Sequence, residues 1–239
     1  MSGNSISICE IFGPTIQGEG LLIGQPTVFV RTGGCDFRCS WCDTRYAVDN
    51  AFRSEWAAMS AEEILAKVKR LAGPSPLLIS LSGGNPALQP LGNLIALARQ
   101  DGYTFALETQ GSVAQEWFAE LDFLTISPKP PSSGMKADQS KLAECLAAAG
   151  RASINLKFVV ADEPDYLFAR QVAGWFPGLP VFLQPCNEKG QEGSEGAHDP
   201  EKMYGRLRWL VERVVADGWY DTRVLPQLHV LLWGNKRGV

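Results

Sequence analysis

Residues 33–44 of this chain read GGCDFRCSWCDT, and this stretch decides how the rest of the sequence is interpreted. Cys35, Cys39 and Cys42 follow one another in the spacing Cys-x3-Cys-x2-Cys. Thiolates this close together can share a soft metal centre, either zinc or an iron–sulfur cluster. A structural zinc site takes four protein ligands, and no second Cys-x2-Cys or Cys/His pair accompanies the three cysteines. We therefore favour a [4Fe–4S] cluster with one open iron over zinc, and zinc over three structural cysteines.

Composition and charge narrow the class of protein. The 239 residues are 45% hydrophobic, which suits one globular domain, and the net charge of −4 argues against nucleic acid as a partner. We find no apolar run long enough to span a bilayer and no signal peptide, so we expect a cytoplasmic protein without a membrane partner. Cys9, Cys145 and Cys186 are interpreted as small core residues.

Hydrophobic periodicity predicts strands that alternate with amphipathic helices. Strands are predicted at Ser5–Ile11, which breaks at Gly13-Pro14, and at Val28–Val30, Leu77–Leu81, Thr104–Leu107, Phe123–Ile126, Leu156–Val160 and Val181–Leu183. Helices are predicted after a capping box at Ser60–Glu63, and at Leu88–Gln100, Val113–Glu120, Lys141–Ala149, Pro164–Phe176 and Pro200–Asp217. This order indicates parallel βαβ units. Because the pairs number fewer than eight, the fold class is α/β, an incomplete, open parallel βα barrel formed by residues 1–239.

Five of the predicted strands are followed by loops of glycine, proline and polar residues. These loops are Cys35–Thr44, Ser82–Pro86, Glu108–Gly111, Ser127–Lys129 and Gln184–Asn187. In βα barrels the carboxyl ends of the strands form the active-site face, so we expect these loops to share one site. Gln17 and Glu19 lie between glycines on another loop, which either approaches a small molecule or is simply solvated.

The cysteine spacing directly after a first core strand resembles the cluster motif of the radical S-adenosylmethionine (SAM) enzymes. From Glu10–Gly20 to its last residue, the chain also resembles the 7-carboxy-7-deazaguanine synthase family of 7-deazapurine (queuosine precursor) biosynthesis. The resemblance implies the cofactors [4Fe–4S] cluster, SAM and Mg²⁺. It also implies a lyase reaction that converts 6-carboxy-5,6,7,8-tetrahydropterin into 7-carboxy-7-deazaguanine with loss of ammonia.

The same resemblance implies the site residues. Cluster ligands are Cys35, Cys39 and Cys42. The SAM pocket is Trp41, Cys42, Asp43, Ser82, Gly83, Gly84, Asn85, Gly111, Ser127, Pro128, Lys129, Gln184, Pro185, Cys186 and Asn187. Substrate contacts are Ile16, Gln17, Gly18, Glu19, Arg31, Thr109 and Val239, and the Mg²⁺ ligand is Thr44. Asn85 stands where the superfamily usually has Glu, so it offers the SAM ammonium a hydrogen bond but no charge.

We expect a pterin substrate, an electron donor such as a flavodoxin, and a homodimer. The apolar tail at residues 228–233 is expected to pack back on the barrel. Two alternatives stay open, a different radical SAM enzyme such as a glycyl-radical activase, and a zinc-stabilised binding module. Tyr46–Trp56 has no predicted structure, and Glu188–His198 is interpreted as a flexible polar loop with a solvated His198.

Overall fold

Nine strands form one sheet in the computed structural model, which describes residues 5–187 and 200–239. The strands are Ile6–Ile16 (β1), Pro26–Thr32 (β2), Ala57–Met59 (β3), Leu78–Gly83 (β4), Thr104–Thr109 (β5), Phe123–Ile126 (β6), Ser153–Val160 (β7), Val181–Pro185 (β8) and Thr222–Val224 (β9). The α-helices are Arg45–Val48 (α1), Ala61–Ala72 (α2), Gly92–Gln100 (α3), Gln139–Ala148 (α4), Glu163–Trp175 (α5), Pro200–Ala216 (α6) and Leu228–Trp233 (α7). Short 3₁₀ helices lie at Gly20–Leu22, Asn50–Glu55, Pro86–Leu88, Glu116–Glu120 and Pro131–Ser133.

The strand order is β3-β1-β2-β4-β5-β6-β7-β8-β9. Strand β2 and the strands from β4 to β9 are parallel, whereas β1 pairs antiparallel with both β2 and β3. Within the described residues, β3 and β9 are the two edges and do not pair with each other. The predicted fold class, α/β with an incomplete, open parallel βα barrel, is confirmed.

Side chains of the central strands point alternately to the hydrophobic core and to the opposite face of the sheet. In β7, Leu156, Phe158 and Val160 are buried in the core cluster. Lys157 lies between them and therefore points to the opposite face, because successive side chains of a strand alternate. The same alternation places Ser80 of β4 opposite its core neighbours. The face that carries Lys157 and Ser80 is thus free to form a site.

Helix α2 begins at the predicted capping box. The Ser60 hydroxyl accepts from the Glu63 backbone N–H at 3.2 Å, and the Glu63 carboxylate accepts from the Ser60 N–H at 2.7 Å. These bonds satisfy donors that a helix start leaves open. Ile64 and Val68 then bury the apolar side of the helix, which confirms the predicted start.

Two predicted helices are wrong in extent. Within the predicted helix 113–120, only Glu116–Glu120 is helical, as a 3₁₀ helix whose Phe118 is fully buried. The predicted helix 88–100 begins only at Gly92. Pro90 explains the delay, because the residue before a proline is disfavoured in the α conformation and Gln89 is extended.

Strand β1 does not end at Gly13-Pro14 as predicted but continues to Ile16. Its pairing with β2 shifts register between Phe12 and Thr15, so the ladder is interrupted where Pro14 has no N–H to donate.

The segment 46–56, which had no predicted structure, folds into the end of α1 and the 3₁₀ helix Asn50–Glu55. Trp56 packs against Gly33 and donates its indole N–H to the Tyr46 carbonyl at 2.8 Å. The predicted polar loop Glu188–His198 lies outside the described residues. None of the helices in the described ranges is long and apolar enough to cross a membrane.

Two glycines join the loop after β4 to the cysteine loop after β2. The Gly84 N–H donates to the Thr32 carbonyl at 3.1 Å, and the Asn85 N–H donates to the Gly34 carbonyl at 2.8 Å. A Cβ atom at Gly84 would overlap the Gly34 carbonyl, and Gly83 has a φ of +132° that favours glycine. Glycine is therefore required where these two backbones touch.

We predict that Gly84→Ala lowers the free energy of unfolding by about 1–3 kcal/mol, because the methyl group forces two backbones apart. Gly205→Ala is the matched control, since Gly205 is exposed within α6 with no atom near an added Cβ. The control should gain about 1 kcal/mol from its better helix propensity. Urea unfolding of the metal-free proteins measures both free energies. A Gly84→Ala variant as stable as the native protein would contradict the prediction.

Candidate active site

A cavity of about 200 Å³ opens at the carboxyl ends of the parallel strands. It brings together predicted residues from all four groups: the cluster ligands Cys35, Cys39 and Cys42; the SAM residues Trp41, Asp43, Ser82, Gly83, Gly84 and Lys129; the substrate contacts Ile16, Gln17, Gly18, Glu19, Arg31, Thr109 and Val239; and the Mg²⁺ ligand Thr44. Predicted SAM residues that do not line it are Asn85, Gly111, Ser127, Pro128, Gln184, Pro185, Cys186 and Asn187. Glu108 and Gln110, from a loop that was expected to share the site, also line it, whereas the sequence reasoning missed the wall residues Lys157 and His229.

The three cysteines are half-buried thiols without disulfides. The Phe37 N–H lies 3.4 Å from the Cys35 sulfur, and the Thr44 hydroxyl lies 3.7 Å from the Cys42 sulfur. Burial raises the pKa of each thiol, that of Cys39 to about 11. A bound metal must therefore displace the thiol protons.

The donor set fits an iron–sulfur cluster. Among residues 5–187 and 200–239, no three His, Cys, Asp or Glu side chains are placed to hold one metal ion. Thiolates that each ligate a different iron need not converge on a single point. Three thiols on one loop, with N–H and O–H groups near the sulfurs of Cys35 and Cys42, are the environment that such clusters use.

A hydrogen-bonded chain fixes the cysteine loop from its far side. The Trp41 indole N–H donates to the Ser132 hydroxyl at 2.9 Å, which donates to the Asp165 carboxylate at 2.6 Å. Asp165 is fully buried at the start of α5 and also accepts from the Ala161 N–H at 3.0 Å. The Ser40 N–H adds a bond to the Ser133 carbonyl at 2.9 Å. None of these bonds involves a thiol.

Asn85 is fully buried, and its amide is saturated by the protein. The nitrogen donates to Asp36 at 3.0 Å and to Ser112 at 3.1 Å. The oxygen accepts from the Thr109 hydroxyl at 2.8 Å and from the Ala87 N–H at 3.2 Å. Both acceptor positions of the oxygen are occupied, so the structure gives the predicted bond to a SAM ammonium no support. Asn85 instead joins the cysteine loop to the loop after β5.

Lys157 is a buried cation in the cavity wall. Its side chain is 3% exposed, and its ammonium pairs with the carboxylates of Glu19 and Glu108. Burial alone would lower the pKa of Lys157, but the two carboxylates outweigh it and hold the pKa above its ordinary value. A lysine inside the apolar strand INLKFVV was the sequence signal for this residue, because buried lysines need partners.

Glu19 is held in its ionised form. Burial would raise its pKa, but the Lys157 ammonium and the neighbouring His229 outweigh it and keep the pKa well below the usual range. Gln227 also donates to the carboxylate at 2.6 Å. Glu19 therefore presents a fixed, acceptor-only group at the cavity.

The tail reaches the same wall. The Leu228 N–H donates to the Gly18 carbonyl at 2.9 Å, and Val230 of α7 is buried. A side chain at Gly18 would overlap His229, so glycine allows α7 to lie directly on this loop. Val239 then lines the cavity.

Arg31 is a cation on another part of the wall. Its Nε donates to Glu10 at 2.7 Å, and its side chain is 14% exposed. Because the bond to Glu10 uses Nε, the terminal nitrogens are directed elsewhere, one of them 3.5 Å from the Ser82 hydroxyl.

Comparisons with known proteins agree with this geometry. The sequence model of the radical SAM superfamily matches residues 29–127. Two proteins named 7-carboxy-7-deazaguanine synthase are similar over nearly the whole length. The one from Bacillus subtilis is 45% identical, with 98% of each chain covered, and the one from Bacillus cereus is 40% identical, with 99% of this chain and all of that protein covered. The crystal structure of QueE from Escherichia coli has the same fold, with a TM-score of 0.70 at 24% identity over 94% of this chain and 95% of that one.

An open parallel βα sheet with three cysteines on the loop after its first parallel strand defines a radical SAM enzyme. Its cofactors are accordingly a [4Fe–4S] cluster and SAM. Within that class, the chain belongs to the 7-carboxy-7-deazaguanine synthase family and is a lyase of 7-deazapurine biosynthesis.

We predict that Lys157→Met lowers the free energy of unfolding by about 3–5 kcal/mol, because it leaves two carboxylates without their buried cation. Adding Glu19→Gln should recover part of the loss by removing one buried charge. Urea unfolding of the metal-free proteins at neutral pH measures each variant.

Lys69→Met is the control for that experiment. Lys69 also pairs with a carboxylate, that of Asp101 at 2.7 Å, but both side chains are over 40% exposed, so the loss should be small. A Lys157→Met variant no less stable than Lys69→Met would show that the buried group does not stabilise the fold.

Proposed function

We propose that this enzyme converts 6-carboxy-5,6,7,8-tetrahydropterin into 7-carboxy-7-deazaguanine with loss of ammonia, using the cluster, SAM and Mg²⁺. The observation that carries the proposal is the shared cavity: the three cysteines, the buried carboxylate of Glu19 and the guanidinium of Arg31 all line it. Radical chemistry and groups complementary to a carboxylated pterin thus meet in one place. Family membership supports the same reaction.

Glu19 is the group we assign to the pyrimidine edge of the pterin. A carboxylate facing the adjacent N–H groups of a guanidine-like ring makes a two-point, charge-assisted match. Lys157 and Gln227 hold this carboxylate, and its lowered pKa keeps it ionised at neutral pH. We also assign Ile16, Gln17, Gly18, Thr109 and Val239 to the substrate, since each lines the cavity.

Arg31 and Thr44 are assigned to the substrate carboxylate. A guanidinium offers a planar pair of donors that matches a carboxylate, and Glu10 fixes its orientation. The Thr44 hydroxyl lies beside the cysteine loop, where a Mg²⁺ ion can bind it together with the carboxylate and waters.

Cys35, Cys39 and Cys42 would hold the cluster, and the SAM pocket would lie at Trp41, Asp43, Ser82, Gly83, Gly84 and Lys129. The bound cluster and SAM supply one-electron radical chemistry. The chain's own residues would bind and orient the pterin and exclude water from the cavity.

We further propose a single domain over residues 1–239, a homodimer, a flavodoxin-type electron donor and a cytoplasmic location. The exposed apolar side chains Tyr204, Val211 and Val215 on one side of α6 support an interface between copies.

The test of function is anaerobic turnover of the carboxylated tetrahydropterin with SAM and a chemical reductant, with the product identified by mass spectrometry and ammonia measured. Native protein should hold about four iron per chain and form the deazaguanine. Cys35→Ala, Cys39→Ala and Cys42→Ala should each abolish SAM cleavage, because three thiolates are needed to hold the cluster.

Cys186→Ala is the control, since this cysteine is buried directly after β8 but does not line the cavity. It should keep its iron. SAM cleavage without conversion of the pterin would overturn the substrate assignment and favour another radical SAM reaction, whereas bound zinc without iron would favour a zinc module.

We predict that Thr44→Val lowers kcat/KM at least tenfold and removes the stimulation by Mg²⁺, because the substituted side chain has no oxygen ligand. Ser40→Ala is the matched control on the same loop, since its hydroxyl donates to the Ser132 carbonyl rather than facing the cavity. Steady-state rates at several Mg²⁺ concentrations measure both variants. An unchanged Mg²⁺ response in Thr44→Val would exclude this role.

A further inference from the structure

The end of the chain is held by a cluster of side chains that the family resemblance did not indicate. Arg237 donates from Nε to one oxygen of Glu10 at 2.9 Å. Its guanidinium also stacks on the ring of Tyr46, 3.9 Å from the ring centroid, and its Nη2 lies 3.7 Å from the Cys9 sulfur. These contacts hold residues 234–239, which have no helix or strand structure.

The other oxygen of Glu10 serves the cavity. It accepts from Arg31 Nε at 2.7 Å and from the Tyr46 hydroxyl at 3.2 Å. One carboxylate therefore binds a cavity cation with one oxygen and the tail with the other. Burial would raise the pKa of Glu10, but the two guanidiniums outweigh it and lower the pKa, which keeps both oxygens available as acceptors at neutral pH.

The two guanidiniums differ in exposure. The Arg31 side chain is 14% exposed, whereas that of Arg237 is 45% exposed. Arg237 can therefore leave its partner at low cost, while Arg31 stays in place. An ion pair with one half-exposed partner adds little stability, so its value lies in the position it imposes.

That position concerns the cavity, because Val239 lies two residues beyond Arg237 and lines the cavity wall. Asn187 adds a second attachment, donating to the Asn235 side chain at 2.8 Å. Between α7 and the cavity, the side chains of residues 235 and 237 thus attach the tail to the rest of the protein.

We propose that Glu10, Tyr46 and Arg237 form a clasp that positions both the tail and the Arg31 guanidinium for substrate. Glu10 and Arg237 are positioning residues, since the contacts described for them are with other side chains. The proposal rests on the proposed function for the identity of the substrate, but the clasp itself needs no ligand. A substrate anion at Arg31 and an ordered tail become coupled through the one carboxylate.

The first test is hydrogen–deuterium exchange of the metal-free protein, read by mass spectrometry on a peptide that contains residues 234–239. Arg237→Gln and Glu10→Gln should each speed exchange of these amides at least fivefold, and the double variant should be no faster than the faster single one. Lys236→Gln, which changes the neighbouring cation, should match the native protein. Exchange rates equal to the native rate in both single variants, in the double variant and in the control would overturn the proposal.

The second test is steady-state kinetics of the reconstituted enzyme. Arg237→Gln should raise KM for the pterin about tenfold and leave kcat within twofold. Glu10→Gln should raise KM further because it also releases Arg31. Arg237→Lys, which keeps the charge but not the planar fork, should recover part of the loss. An unchanged KM in Arg237→Gln would refute the positioning role.

The two tests fail separately from the proposed function. Should native enzyme not turn over this pterin while Arg237→Gln still loosens the tail, the clasp is supported and only the substrate assignment falls. A tail that stays ordered in Arg237→Gln, with normal turnover of the native enzyme, overturns the clasp and leaves the proposed function intact.

Discussion

The site depends on one contact between two backbones, that of Gly84 after β4 and that of Gly34 in the cysteine loop. There is no room for a side chain between them. The cysteine loop is otherwise a long excursion from β2, and this contact attaches it to the neighbouring parallel strand. Together with the other bonds that hold the loop, this attachment places the cysteines beside the wall residues that the strands carry.

Two groups of paired charges lie at or next to the cavity wall, one around Lys157 and one around Glu10. Glu19 and Glu108 both pair with Lys157 of β7, so these three side chains have a net charge of minus one. Arg31 of β2 and Arg237 both pair with Glu10, so these three have a net charge of plus one. Strands β4, β5 and β6 separate β2 from β7 in the sheet order. A molecule with N–H donors at one end and an anionic group at the other is complementary to such a wall, and the preformed charges orient it before any chemistry begins.

Several features that neighbouring residues encode were predicted from the sequence. The cysteine loop, the capping box at Ser60 and the alternation of strands and helices follow from neighbouring residues, and all were predicted. Lys157 was missed because its partners come from a loop and from a strand that is not its sheet neighbour. The helix predicted over 113–120 was wrong because burial of Phe118 outweighed helix propensity. The contacts that occupy the Asn85 amide come from more than one loop, so the residue type alone could not predict them.

The contacts that anchor the cysteine loop do not depend on a bound cluster, which matters because oxygen destroys iron–sulfur clusters. Glycine packing, the Trp41–Ser132–Asp165 chain and the Ser40 bond hold this loop without using a thiol. In small zinc domains the free energy of metal binding is the free energy of folding, and removal of the metal unfolds the chain. Here the bonds that anchor the loop do not use the thiols, so loss of a cluster to oxygen removes none of them.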